Sequence, residues 1–232
     1  MCVLAAQITA IGSAWAHARE SESKPTTVSG VISAYGDSVR KKLKPVFDKV
    51  NVPYPPSEMT WIGLKEEGLL VLFAKDRSGK MRRVLDYPIF GASGVDGPKL
   101  KEGDMQVPEG IYHISRFRPV VIAHIGLELN YPNSDDQMHA RREGRKNLGG
   151  DIMIHGSYWS TGCLAMGNEP IEELFVLAYD TKLANIQVVL VPCNLLVKRP
   201  SVDMSKQPKW LPELYSRLRT ILQEYPAITK AR

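Results

Sequence analysis

Residues 151 to 166, Asp-Ile-Met-Ile-His155-Gly-Ser-Tyr-Trp-Ser160-Thr-Gly162-Cys163-Leu-Ala-Met, place an imidazole and a thiol eight positions apart. The apolar run Ile152, Met153, Ile154 reads as a strand that delivers His155, and a short polar loop leads to the Gly162-Cys163 pair. A thiol near its free pKa of about 8.5 is only partly thiolate at neutral pH, so nucleophilic use calls for a neighbouring imidazole or helix N-terminus. Both are on offer. His155 lies upstream, and a helical pattern begins near Asn168, with Pro170 in its first turn and Ile171, Leu174, Phe175 and Ala178 at i, i+3, i+4, i+7. Gly162 lets the backbone approach a substrate carbonyl, where the amides of Gly162 and Cys163 could receive an oxyanion. Taken singly, Cys163 reads equally well as a small buried apolar residue and His155 as a satisfied strand histidine. The complete string decides between the two.

Three ordered stretches resemble one family. They are His155 followed by Ser160-Thr161-Gly162-Cys163, the segment Gly97-Pro-Lys-Leu-Lys-Glu-Gly-Asp104-Met-Gln-Val-Pro108-Glu-Gly110-Ile-Tyr112, and Leu129-Asn-Tyr131-Pro-Asn133. Together with Ile171-Glu-Glu-Leu-Phe they are similar to the L,D-transpeptidase catalytic (YkuD-type) domain, in its shorter-looped YafK-like murein transpeptidase branch, over roughly residues 58 to 195. The resemblance implies a mainly β (α+β) fold, a β-sandwich-like domain with a helix after the cysteine and flanking N- and C-terminal helices. It implies acyl transfer on peptidoglycan stem peptides, with Cys163 forming a thioester at the L-centre of a diamino acid and His155 as base. Gly162, Ser160 and Thr161 would shape the oxyanion loop, Ser160 by hydrogen bonding. Tyr112, Lys101, Gly156 and Tyr158 become substrate-binding candidates. No metal or other cofactor is implied, and the location would be the periplasm or cell envelope.

This sequence departs from the broader motif at Thr161, where histidine is usual, at Ala165, where arginine is common, and in its short loop. The acyl-enzyme met by an amine gives transpeptidation and met by water gives carboxypeptidase or amidase hydrolysis; both outcomes stay open. A non-catalytic cell-wall binding module would be expected to lose His155 or Cys163, and both are present. A papain-type peptidase would place its cysteine before its histidine, the reverse of the order here.

At 232 residues, 44% hydrophobic and 24% charged, the chain has the balance of a globular protein with one core and terminal extensions. A net charge of +5 suits an anionic polymer, but no nucleic-acid-binding signature accompanies it. Three cysteines form no disulfide framework, and a bridge between Cys163 and Cys193 would consume the nucleophile, so both are expected reduced. Residues 3 to 16, ending in Ala-x-Ala spacing, match the apolar core of a secretory signal without its basic start, giving a possible signal peptide over 1–18 and no integral membrane segment in the mature chain.

A linker and N-terminal helix are expected over 19–57, with apolar Ile32, Tyr35, Val39, Leu43 and Val46 and a kink or stop at Pro45. Residues 59–64 and 69–74 predict a hairpin, 82–90 and 110–117 two more strands, and 91–109 a Gly/Pro-punctuated loop whose charges read as solvated. Residues 134–150 show no period and read as a basic lid or substrate-contact loop carrying Arg141, Arg142, Arg145 and Lys146. His139 with Asp135 and Asp136 lacks the spacing of a zinc set, and His113 and His124 read as structural. Residues 186–192 predict a central strand beside the one carrying His155. Residues 196–232 predict a linker and an amphipathic C-terminal helix.

Overall fold

A computed structural model describes residues 24–94 and 96–229, so the signal-like segment at 3–16 lies outside the described residues. In chain order the elements are α1 (Val28–Lys49), β1 (Met59–Leu64), β2 (Leu69–Lys75), β3 (Met81–Pro88), β4 (Gly110–Val121), β5 (His124–Leu129), α2 (Ser134–Arg142), β6 (Met153–His155), β7 (Leu164–Ala165), α3 (Asn168–Thr181), β8 (Ile186–Val191) and α4 (Leu211–Gln223). The eight strands form one mixed sheet in the order β3-β2-β1-β8-β4-β5-β6-β7. The fold is α+β. β4 joins the two halves: Gly110 to His113 pair with β8, and Ile114 to Val121 pair with β5.

Strand alternation explains why β1, β2 and β8 read as unbroken apolar runs. Met59, Trp61, Leu70, Leu72, Val188 and Leu190 face one core, and Ile62, Leu64, Val71, Phe73, Val189 and Val191 face another. The first core is closed by α1 and α3 and continues into β5, β6 and β7 through Ile125, Leu127, Ile154 and Leu164. The second is closed by α4, which buries Leu211, Leu214, Tyr215, Leu218 and Leu222.

Four sequence expectations need correction. The helix α1 runs through Pro45 to Lys49, because Leu43 and Phe47 are buried on either side of it. Pro45 and Lys41 both lie on the exposed face, where water can take the carbonyl left without its amide. Residues 134–142 form the helix α2, not a loop. Asn133 caps the amides of Asp135 and Asp136, and the Asp136 carboxylate accepts from the Asn133 amide, a complete capping box. The strand β8 lies between β1 and β4, so β4 and β5 separate it from the histidine-bearing β6.

Nor are the charges of the 91–109 segment all solvated. Glu109 is fully buried and accepts from Lys65 Nζ (2.8 Å) and from the Tyr215 hydroxyl (2.8 Å), while Lys65 Nζ also donates to the carbonyls of Gly97 and Val107. This cluster pins β1, the long loop and α4 to one another. Lys65→Met would strand a buried carboxylate and should cost about 3–5 kcal/mol in urea unfolding. Tyr215→Phe, which leaves the ion pair intact, should cost about 1–2 kcal/mol. Equal losses in the two variants would show that the ion pair is not the anchor.

Candidate active site

The two-residue strand β7 pairs in parallel with β6, with Ile154 opposite Leu164 and His155 opposite Ala165. Side chains alternate along each strand, so Ile154 and Leu164 point into the core beneath α3. Met153 and His155 then share the opposite face, together with Cys163, which immediately precedes β7. On the neighbouring strand Gly126 stands opposite His155, and a Cβ there would come within 3.4 Å of the histidine Cβ. Glycine keeps that face open. The edge of β7 is closed by residues 90 and 91, whose amides both donate to the Ala165 carbonyl.

His155 Nδ1 lies 2.6 Å from the Gly156 carbonyl oxygen. A carbonyl can only accept, so the proton sits on Nδ1 and Nε2 is the basic nitrogen. Burial pushes the His155 pKa down, against that hydrogen bond, and burial pushes the Cys163 thiol up, against the hydrogen bond from the Met153 amide (3.3 Å). At neutral pH the resting pair is therefore thiol and neutral imidazole. Cys163 Sγ also faces the Asp151 carbonyl at 3.5 Å. Both Cys163 and Cys193 are free thiols.

The loop before the cysteine is held by hydroxyls. Ser160 Oγ accepts from the Cys163 amide (2.8 Å) and donates to the Cys163 carbonyl (2.6 Å). Gly162, at φ +103°, packs on the Gln106 carbonyl, and its amide donates to Ser93 Oγ (2.6 Å), which in turn donates to the Met105 carbonyl (2.6 Å). The two amides expected to face an oxyanion are thus engaged by Ser160 and Ser93. Among the described residues Thr161 carries no hydrogen bond, and it lines the cleft. Asn168 at the start of α3 accepts from the Ser157 amide; β7 separates this helix N-terminus from the sulfur in sequence.

His155, Cys163 and Thr161 open onto a cleft of about 620 Å³ whose walls are mainly apolar: Met153, Trp159, Ala123 and the hairpin residues Val120 to Ile122. Among the described residues lining it, Arg118 is the one arginine or lysine, and sequence reasoning missed it. Arg118 Nη1 contacts Glu128 (2.5 Å) and lies 3.6 Å from Asp151, and Arg116 joins the same glutamate. Burial works against the Glu128 carboxylate, but the hydrogen bonds from Arg116 and Arg118 outweigh it and hold the pKa below the ordinary glutamate value. Arg118 lies 45 positions from Cys163, and only the β4-β5-β6 pairing brings it near; no local signal marks it, nor Ser93.

The other candidates disperse. Tyr158 is exposed and does not line the cleft; its ring lies 5.0 Å edge-to-face from Phe90. Gly156 sits in the turn after β6, its amide donating to Ile125. Tyr112 is buried against Asp136 and Tyr131, away from the cleft lining. Lys101 lines a separate cavity. His139 stacks on Trp210 at 4.3 Å, and His124 Nε2 meets Glu172 at 2.8 Å.

The model of the YkuD L,D-transpeptidase catalytic domain matches residues 60–189, more than half of the chain, from within β1 to within β8. The chain belongs to this family. Within it, YafK of Escherichia coli (strain K12), named as a candidate L,D-transpeptidase, is 38% identical over 114 residues, 48% of this chain and 43% of that protein. The chain thus spans less than half the length of that curated relative. Among solved structures, the helical cell shape determining protein Pgp2 from Campylobacter jejuni superposes with a TM-score of 0.47 at 17% identity, over 80% of this chain and 77% of that one. Bd1075 of Bdellovibrio bacteriovorus gives 0.43 at 19%, over 77% and 59% respectively.

Because burial keeps the proton on sulfur, the alkylation rate of Cys163 by iodoacetamide should keep climbing beyond about pH 9, in contrast to a preformed thiolate. A plateau reached near neutrality would show a resting thiolate–imidazolium pair instead. Ser160→Ala, which frees both ends of the Cys163 peptide unit, should slow any Cys163-dependent reaction about tenfold while costing only about 1 kcal/mol in stability. Unchanged kinetics would leave that hydroxyl without a part in the site.

Proposed function

We propose that this protein is a cysteine-dependent acyl transferase acting on peptidoglycan stem peptides. The observation that carries the reading is the parallel β6-β7 register, which aligns Cys163 and His155 on one open face of the sheet. Family membership supplies the substrate class. His155 Nε2 takes the Cys163 proton as Sγ attacks the acyl carbonyl, and the imidazolium returns it to the departing amine as the C–N bond breaks, leaving a thioester. An incoming amine then gives a new amide, or water gives the acid, and the thiol is restored. The oxyanion is received at the Ser160–Cys163 loop, where Thr161 has donors not already committed to the fold. The apolar walls hold the aliphatic part of the donor and exclude water, and Arg118 stands at the cleft as its charged mark. Such a substrate places the protein in the periplasm or cell envelope. Among the described residues no helix is long and apolar enough to cross a membrane.

The reading is tested by incubating the protein with tetrapeptide muropeptides, with and without an amine acceptor, followed by mass spectrometry. A mass increase on the peptide containing Cys163 is expected, absent in Cys163→Ala and formed about 10²- to 10⁴-fold more slowly in His155→Gln. The released product then separates transfer from hydrolysis. Turnover surviving in Cys163→Ala would refute the assignment.

A further inference from the structure

The turn between β4 and β5, Ile122-Ala123, forms part of one wall of the cleft, and the reaction proposed above makes no use of the residue that follows it. His124 pairs with Val121 across the hairpin and has a left-handed backbone, φ +83°, a conformation in which glycine or asparagine is the usual occupant. Such a backbone persists where its surroundings fix it. The His124 ring is largely buried: Nε2 meets Glu172 of α3 at 2.8 Å, and the Tyr35 ring of α1 stands edge-to-face with 5.9 Å between centroids. A carboxylate only accepts, so the proton is on Nε2. Glu172 shares its helix with Glu169 and Glu173, and Lys42 of α1 answers those two at 2.6 and 2.5 Å. Among the described residues His124 is the basic partner of Glu172.

Gly156 connects this pair to the active site. A Cβ there would fall 2.6 Å from the Ala123 carbonyl oxygen, 2.8 Å from Asn168 Oδ1 and 3.0 Å from His124 Cβ, so its backbone is wedged between the hairpin turn and the start of α3. Its amide donates to the Ile125 carbonyl, and its own carbonyl accepts from His155 Nδ1. Asn168 ties the next residue to α3 by accepting from the Ser157 amide (2.9 Å). Glu172, four positions further on and on the same side of the helix, ties α3 back to the hairpin through His124. The carbonyl that fixes the His155 tautomer thus sits within a closed ring of contacts: turn to Gly156, Ser157 to α3, and α3 to turn. The last of these links is the hydrogen bond between His124 and Glu172.

We infer that His124 and Glu172 are positioning residues for the Cys163–His155 pair: by locking the hairpin turn to α3 they hold the Gly156 carbonyl on His155 Nδ1 and so keep Nε2 as the basic nitrogen. The inference rests on the cysteine–histidine part of the reading above, and the identity of the substrate does not enter it. The test is long-range ¹H–¹⁵N NMR of the imidazoles in the full chain, at a pH where His155 is neutral, with His155→Gln assigning the signals. The unmutated chain should show the His155 proton on Nδ1. Glu172→Ala and His124→Asn should each give a mixture of tautomers; asparagine tolerates the left-handed backbone but is too short to replace the imidazole. Glu172→Gln keeps an acceptor for Nε2–H and should retain the Nδ1 tautomer. Alkylation of Cys163 by iodoacetamide near neutral pH should slow about threefold or more in Glu172→Ala and in His124→Asn, with no further loss in the double variant. Thermal melts check folding, and should one of the two fail to fold, the other decides against Glu172→Gln. An unchanged tautomer in a folded variant would overturn the inference, whatever the loss of thermal stability. Equal effects of Glu172→Gln and Glu172→Ala, an unchanged alkylation rate, or additive losses in the double variant would overturn it too. Failure of the peptidoglycan reading is seen separately, as the absence of a Cys163 acyl adduct on the unmutated chain.

Discussion

The site depends on five residues of β-ladder. Three residues of β6 and two of β7, paired in parallel, fix which face of the sheet His155 and Cys163 occupy. Side-chain direction alternates, so a slip of one residue would turn one of the two into the core beneath α3. The slip is prevented on the core side by Ile154 and Leu164, both wholly buried, and on the edge by the exchange of hydrogen bonds between Gly91 and Ala165. A pairing too short to be stable alone is specified by the packing behind it.

The long 91–109 loop has a corresponding role beneath the cysteine loop. It is punctuated by glycine and proline, yet it is held by charge: Asp104 draws in Lys99 and three amides, and Glu109 draws in Lys65 and Tyr215. Through Ser93, Met105 and Gln106 that rigid segment supports Gly162. The left-handed backbone at Gly162 and its contact with the Gln106 carbonyl exclude a side chain there. The α4 helix, remote from the sulfur in sequence, thereby bears on the site through the Tyr215 hydroxyl.

The strands β1, β2 and β8 were legible because each is an apolar run buried on both faces, and α3 and α4 because their buried residues recur at helical spacing. The helix α2 was not, since Ala140 is its one buried residue and no apolar period exists to read; the Asn133–Asp136 capping box was the available local signal. Pro45 misled for a related reason: a backbone penalty on the solvent face yields to the burial of Leu43 and Phe47. Sequence order puts Cys163 eight positions after His155 but does not show what surrounds either of them. The positions of Arg118 and Ser93 follow from pairings between distant segments, as does the place of β8, and no window of sequence contains those pairings.

The absence of the motif arginine at Ala165 acquires a physical meaning in this arrangement. A cation next to the sulfur would draw the thiol toward thiolate in the resting state. Here Arg118 is shared with Glu128, and the hydrogen-bond partners of Sγ are the Met153 amide and the Asp151 carbonyl. Burial therefore dominates both members of the pair, raising the thiol and lowering the imidazole. In the mechanism proposed, charge separates only as the proton moves from Sγ to Nε2, and the Gly156 carbonyl, hydrogen-bonded to Nδ1, would stabilise the imidazolium it faces. An apolar cleft that disfavours the ion pair at rest also strengthens every fixed dipole aimed at it during reaction. In that proposal the same walls disfavour the ion pair in the free protein and favour its formation once a substrate carbonyl displaces water.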